Sequence, residues 1–148
     1  MVRPDLALEL LIFRAGETRF GLDAAQIAEV VSLDEVEIAR DGGDGGPRVR
    51  RGGAEVPVVG LGSMAWERAR AQSRSAKLVL PKSTPPAAGF VIGDPDEMVR
   101  VEADRIEPLP PLIRDMVRGS GMWAAARCEG GLVILIDLAE AAQGAFRR

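Results

Sequence analysis

Apolar residues in this chain come in short runs, each closed by glycine, proline or a charged cluster, and the runs are the length of strands. Leu8–Phe13 predicts a first strand, Arg14–Glu17 a glycine-containing turn, and Thr18–Leu22 a second strand folding back as a hairpin. Asp23 is a fair N-cap for one or two helical turns over 24–28, after which Glu29–Leu33 reads as a strand. Glu55–Leu61 predicts another strand, its Pro57 marking an edge or a bulge. Ser63–Gln72 predicts a short helix with one apolar side. Ala76–Leu80 and Ala87–Ile92 predict strands joined by a polar loop over Pro81–Pro86. A turn over Gly93–Asp96 leads to a strand at Glu97–Val101. Pro108–Pro111 removes backbone donors and forces extended chain, and a short helix follows over Leu112–Val117. Gly121–Cys128 and Leu132–Leu138 read as a hairpin turned at Glu129–Gly131, with a closing helix over Ala139–Phe146. So many short strands, without long helices between them, indicate a mainly β barrel or sandwich and not a doubly wound nucleotide-binding fold.

The segment Arg40–Gly53 breaks this texture, because six of its 14 residues are glycine. Ordering its backbone costs about 14–28 kcal/mol at about 1–2 kcal/mol per residue. Its only sizeable apolar residues, Pro47 and Val49, return about 1.5–3 kcal/mol each when buried. The segment cannot hold itself. It is expected to be a flexible loop, either mobile in isolation or held by flanking strands and a partner.

Composition narrows the chemistry more than it narrows the fold. The chain has no His, so imidazole zinc sites, Ser-His-Asp triads and His acid–base catalysis are excluded. One cysteine, Cys128, excludes an internal disulfide and multi-thiolate metal sites, which fits a reducing cytoplasm. Nineteen basic against 22 acidic residues give a net charge of −3, so nucleic acid is not an expected partner. The first five residues lack the apolar run of a signal peptide, and no apolar stretch is long enough for membrane insertion. Asp41 and Asp44 are too few ligands for calcium, and the same glycine-rich stretch lacks the Lys and hydroxyl of a phosphate loop. Arg48, Arg50 and Arg51 read as a solvated cluster, Ser63 and Ser120 lack a GxSxG context, and Lys77 and Lys82 have no evident serine partner. Trp66 and Trp123 are core residues by default. No metal or cofactor is expected. By elimination, the function is binding and not catalysis.

Several segments, taken in order, resemble the CheW-like domain of bacterial chemosensory systems from about Leu8 to Ala142. Leu8–Phe13 with Gly16 and Phe20–Asp23 looks like that family's opening hairpin, and Ile27–Val30 sits where the family carries V-x-E-I. Val56–Leu61 is similar to V-P-V-V-D-L, and Leu132–Leu138 to L-I-L-L-L-D-L. Gly89–Ile92, Met98–Val101 and Ile106–Pro110 resemble the second-half pattern. The resemblance implies one domain over 1–148, made of two small five-stranded, SH3-like β-barrel subdomains sharing a core, with short helices. Residues 24–75 would form one subdomain, and 8–23 with 76–148 the other, with 40–53 as the flexible loop. It also implies a non-catalytic, cytoplasmic adaptor at receptor arrays. Such an adaptor couples methyl-accepting chemoreceptor signalling tips to the regulatory domain of a CheA-type histidine kinase, itself CheW-like. By position, Ile27, Glu29 and Val30 would face the receptor, Arg51 and Gly52 would occupy the N-L-R-G motif, and Pro57 and Val58 would open the next motif strand.

The departures concern one region above all. Arg40–Gly53 replaces an apolar stretch, Arg51-Gly52 lies one residue further from Pro57 than the pattern, and Gly60 and Gly93 replace aspartates. A mobile loop there would weaken an interface, since ordering it subtracts from binding. The expectation is therefore a divergent adaptor keeping part of the usual partner set, and nanomolar binding to both receptor tip and kinase, with a well-ordered loop in the free protein, would count against it. Three other readings stay open: an accessory scaffold that binds receptors or another CheW-like protein without recruiting the kinase, a small-ligand-binding β-barrel, and an enzyme of unrecognised mechanism.

Overall fold

The computed structural model describes residues 6–62, 65–82 and 88–146. Ser63 and Met64 at the start of the expected helix, 83–86 in the polar loop, and Ala87 at the start of the expected strand lie outside the described residues. In chain order the strands are β1 (Ala7–Ala15), β2 (Thr18–Asp23), β3 (Ile27–Ser32), β4 (Glu37–Arg40), β5 (Arg48–Arg51), β6 (Ala54–Gly60), β7 (Lys77–Pro81), β8 (Gly89–Ile92), β9 (Pro95–Glu102), β10 (Ile106–Pro108), β11 (Met122–Cys128) and β12 (Gly131–Ile136). Three short helices accompany them: α1 (Trp66–Ala71), α2 (Pro111–Met116) and α3 (Leu138–Phe146). The fold is mainly β, as the spacing of apolar runs indicates.

The chain divides into two units, Ile27–Asp94 and the pair of flanking segments Met1–Gln26 and Pro95–Arg148. This differs from the expected division at 24–75, because β7 and β8 pair with β3 and β6 and so belong to the middle unit. Each unit holds one sheet of six strands, ordered β10-β11-β12-β2-β1-β9 and β3-β7-β8-β6-β5-β4. The anticipated number was five; the short strands β10 and β4, at the ends of the two orders, raise it.

In the flanking unit β1 is buried continuously over Leu10–Phe13, which is why its sequence is an unbroken apolar run and not an alternation. Leu10 and Ile12 join Val101, Ala124, Ala126, Val133 and Leu135 in this unit's core. Phe13 pairs across strands with Phe20, their rings stacked 5.6 Å apart. A 3-10 turn over Ala24–Gln26 follows β2, and the Asp23 carboxylate accepts from the Ala25 N–H at 2.9 Å, as an N-cap should. The expected turn over Gly93–Asp96 is shorter than anticipated. Pro95 already opens β9, where the first residue of a strand tolerates the missing N–H.

The largest correction falls on 40–53. Its second half is not a flexible loop but strand β5, paired with β4 on one side and β6 on the other. Val49 is fully buried and lies in register with Ile38 and Val56, in a core that includes Leu33, Leu78, Leu80 and Val91. Weighing side-chain burial alone omitted the ladder bonds that both neighbours supply. Gly52 and Gly53, at φ +58° and +80°, make the two-residue turn into β6, a conformation that suits glycine at both positions. β6 then changes partner along its length: Ala54–Pro57 pair antiparallel with β5, whereas Val58–Gly60 pair parallel with β8. Pro57 sits at that junction, where the next N–H, of Val58, turns to the carbonyl of Pro47 at 3.1 Å.

Candidate protein-docking surface

β3 is terminal in its sheet order and hydrogen-bonds only to β7. A bulge between Ile27 and Glu29 breaks the alternation, leaving Ala28, Glu29 and Val30 exposed in succession. Val30 is 39% exposed, which is unusual for a branched apolar residue in a strand. Ile27, paired with Pro81, is half-buried at the head of the strand.

Arg51 lies at the end of β5, four places from β3 in the strand order. Its Nη2 nevertheless donates to Glu29 Oε1 at 2.5 Å. Strands so far apart in the order can meet only if the sheet curls back on itself. The curl brings together two candidates drawn from separate motifs. Both side chains stay partly in water, at 33% and 43% exposure. An ion pair this wet contributes about 0.2–1 kcal/mol to stability. It therefore adds little to holding the fold. Gly52 acts beside it through the turn, fixing where β5 ends and hence where Arg51 projects. Pro57 and Val58 lie elsewhere. Pro57 pairs with Arg48 at the opposite end of the hairpin, and Val58 packs against the core.

A second surface escaped the sequence reading. α2 buries none of its residues, and Leu112, Ile113 and Met116 are 73%, 41% and 75% exposed. Pro110 and Pro111 set its start, with Pro111 at the first helical position. Beside it lies a groove of about 670 Å³, lined by Pro108, Leu109, Arg114, Arg118 and Glu140 among others. Apolar residues at i, i+1 and i+4 read as a face to be buried. The available signal was length, since a helix of six residues between a proline run and glycines has little to pack against.

Among the described residues no three His, Cys, Asp or Glu side chains cluster as metal ligands. Burial pushes the Cys128 thiol up from its ordinary value, which lowers its thiolate fraction and its reactivity. Lys77 donates to Ser32 Oγ at 3.0 Å and faces Asp94 at 4.0 Å, a cross-strand polar contact. No helix among the described residues is long and apolar enough to cross a membrane.

Residues 9–145 match the family model of the CheW-like domain, which is 137 of the 148 residues. The chain belongs to the CheW-like domain family, the non-catalytic scaffold family of chemotaxis signalling that its motifs resemble. The crystal structure of the scaffolding protein TtCheW from Thermoanaerobacter tengcongensis matches with a TM-score of 0.68 and 20% identity, covering 90% of each chain. At that identity the likeness establishes a shared fold. No curated protein matches the sequence.

Proposed function

We propose that the chain is a cytoplasmic coupling adaptor with two docking surfaces, one on β3 and β5 and one on α2. The first takes a chemoreceptor signalling tip; the second takes the regulatory domain of a CheA-type kinase or another CheW-like protein. One observation carries the reading: the exposed pair Glu29–Arg51 beside Val30, assembled from two distant segments. A charged pair flanked by an apolar side chain suits a helical tip, since covering it strengthens the electrostatics and buries Val30 at once. The exposed apolar face of α2 suits a partner that brings its own apolar patch. Coupling then means that one chain binds both partners, so that the state of one biases the other. Pairing of β5 with β4 and β6, which fixes the strand that carries Arg51, supports the coupling reading over an accessory scaffold.

Binding of the purified chain to a receptor tip and to a kinase regulatory domain, measured separately, tests this. Glu29→Lys is expected to weaken tip binding at least about tenfold, or about 1.4 kcal/mol, while sparing the kinase domain. Leu112→Asp is expected to do the reverse. Tip binding indifferent to Glu29→Lys, or no binding to either partner, would overturn the assignment.

A further inference from the structure

The glycine-rich connection between β4 and β5 carries an inference that needs no partner. We propose that residues 41–47 form a latched turn, which opens on its own and is held shut against α1 by Asp41. Gly42, Gly43, Gly45 and Gly46 have φ of +155°, +85°, +84° and +74°, and a Cβ placed on any of them would meet nothing within 4 Å. The turn therefore has no packing to hold it, and each of its glycines loses wide conformational freedom when it closes. Inside the turn, the Gly46 N–H donates to the Gly43 carbonyl at 3.1 Å, and Arg40 donates to the Asp44 carbonyl at 2.9 Å.

Asp41 supplies the tie to α1. Its Oδ1 accepts from the Trp66 indole N–H at 2.8 Å and from Arg70 Nε at 3.1 Å, and its carbonyl accepts from the same indole at 3.0 Å. Trp66 is a fixed post because it packs against the core, and the Arg70 guanidinium lies over its ring at 5.9 Å. Ala69, fully buried one turn from Trp66, anchors α1 itself. Opening is confined by what lies at either end. The Pro47 carbonyl accepts from Val58, and Val49 keeps β5 in the core between β4 and β6. Release of Asp41 thus frees the turn and leaves Arg51 where it is.

Hydrogen exchange of the full chain, read by peptide, tests the latch alongside fluorescence in a Trp123→Phe background that leaves Trp66 as the only indole. Asp41→Ala is expected to speed exchange over 42–46 about tenfold and to shift Trp66 emission to the red, with β5 and β6 unchanged. Asp41→Asn is expected to give a smaller change, because its amide oxygen still accepts from the indole but no longer pairs with Arg70. Added salt is expected to speed exchange of the turn in the parent chain and not in Asp41→Asn. Unchanged exchange in Asp41→Ala, acceleration spreading through β5 and β6, or a salt response that survives Asp41→Asn would each overturn the proposal.

Discussion

Two glycine-rich turns in this chain use the same residue for opposite reasons. Over 42–46 the glycines face open space, and what they supply is backbone angle. Around 119–121 they supply room. A Cβ on Gly121 would meet the Asp137 carbonyl oxygen at 2.7 Å and the Ala141 Cβ at 2.9 Å, in a backbone already at φ +87°. Gly144, inside α3, needs no special angle, yet a Cβ there would run into the Gly119 carbonyl. The C-terminal helix is therefore docked backbone against backbone, whereas the 41–47 turn is tethered by side chains. The first arrangement resists substitution. The second resists only the loss of its tether.

Alanine substitution, read by urea unfolding, breaks or sharpens that contrast. Gly121→Ala combines a forbidden angle with a backbone clash and is expected to cost about 2–4 kcal/mol. Gly144→Ala is expected to cost about 1–3 kcal/mol from overpacking, partly offset by alanine's better helix propensity. Gly43→Ala has only the angle to oppose it, so about 1 kcal/mol is expected. A Gly43→Ala loss as large as that of Gly144→Ala would dissolve the distinction. The smallest effect is electrostatic. The hydrogen bonds from Trp66 and Arg70 hold the Asp41 carboxyl below its usual 3.8. Its contribution is thus fully present above pH 3.8 and is lost as pH falls through the lower folded value. The Trp66 emission change on acidification should therefore have its midpoint below 3.8 and be absent from Asp41→Asn.

What could be read from the sequence follows the same division between local and distant causes. β1, β2, β6 and the β11–β12 hairpin announce themselves, because their apolar runs and turns are contiguous. β4 and β5 do not. Each is four residues long, at least half charged, and carries its inward contact on one residue, Ile38 or Val49, so its stability comes from neighbours in register. The misplaced subdomain boundary has the same origin, since the pairing of β7 with β3 leaves no local trace. At the proposed docking surface, motif position singled out Glu29 and Arg51, but only sheet curl makes them partners. The exposed face of α2 went unread, because only a short helix was expected there and which side a six-residue helix buries depends on distant neighbours.

The middle unit is one uninterrupted stretch, Ile27–Asp94, while the other unit is assembled from the two segments that flank it in sequence. During synthesis, every strand of the middle unit's sheet exists before Pro95 has been added. β1 and β2, made first, must wait for β9 and for β12, whose Ile134 pairs with Phe20 across more than a hundred residues. Strands β1 and β2 thus precede the middle unit in synthesis yet are satisfied after it, and their apolar run Leu10–Phe13 is the stretch a nascent chain must keep out of trouble meanwhile.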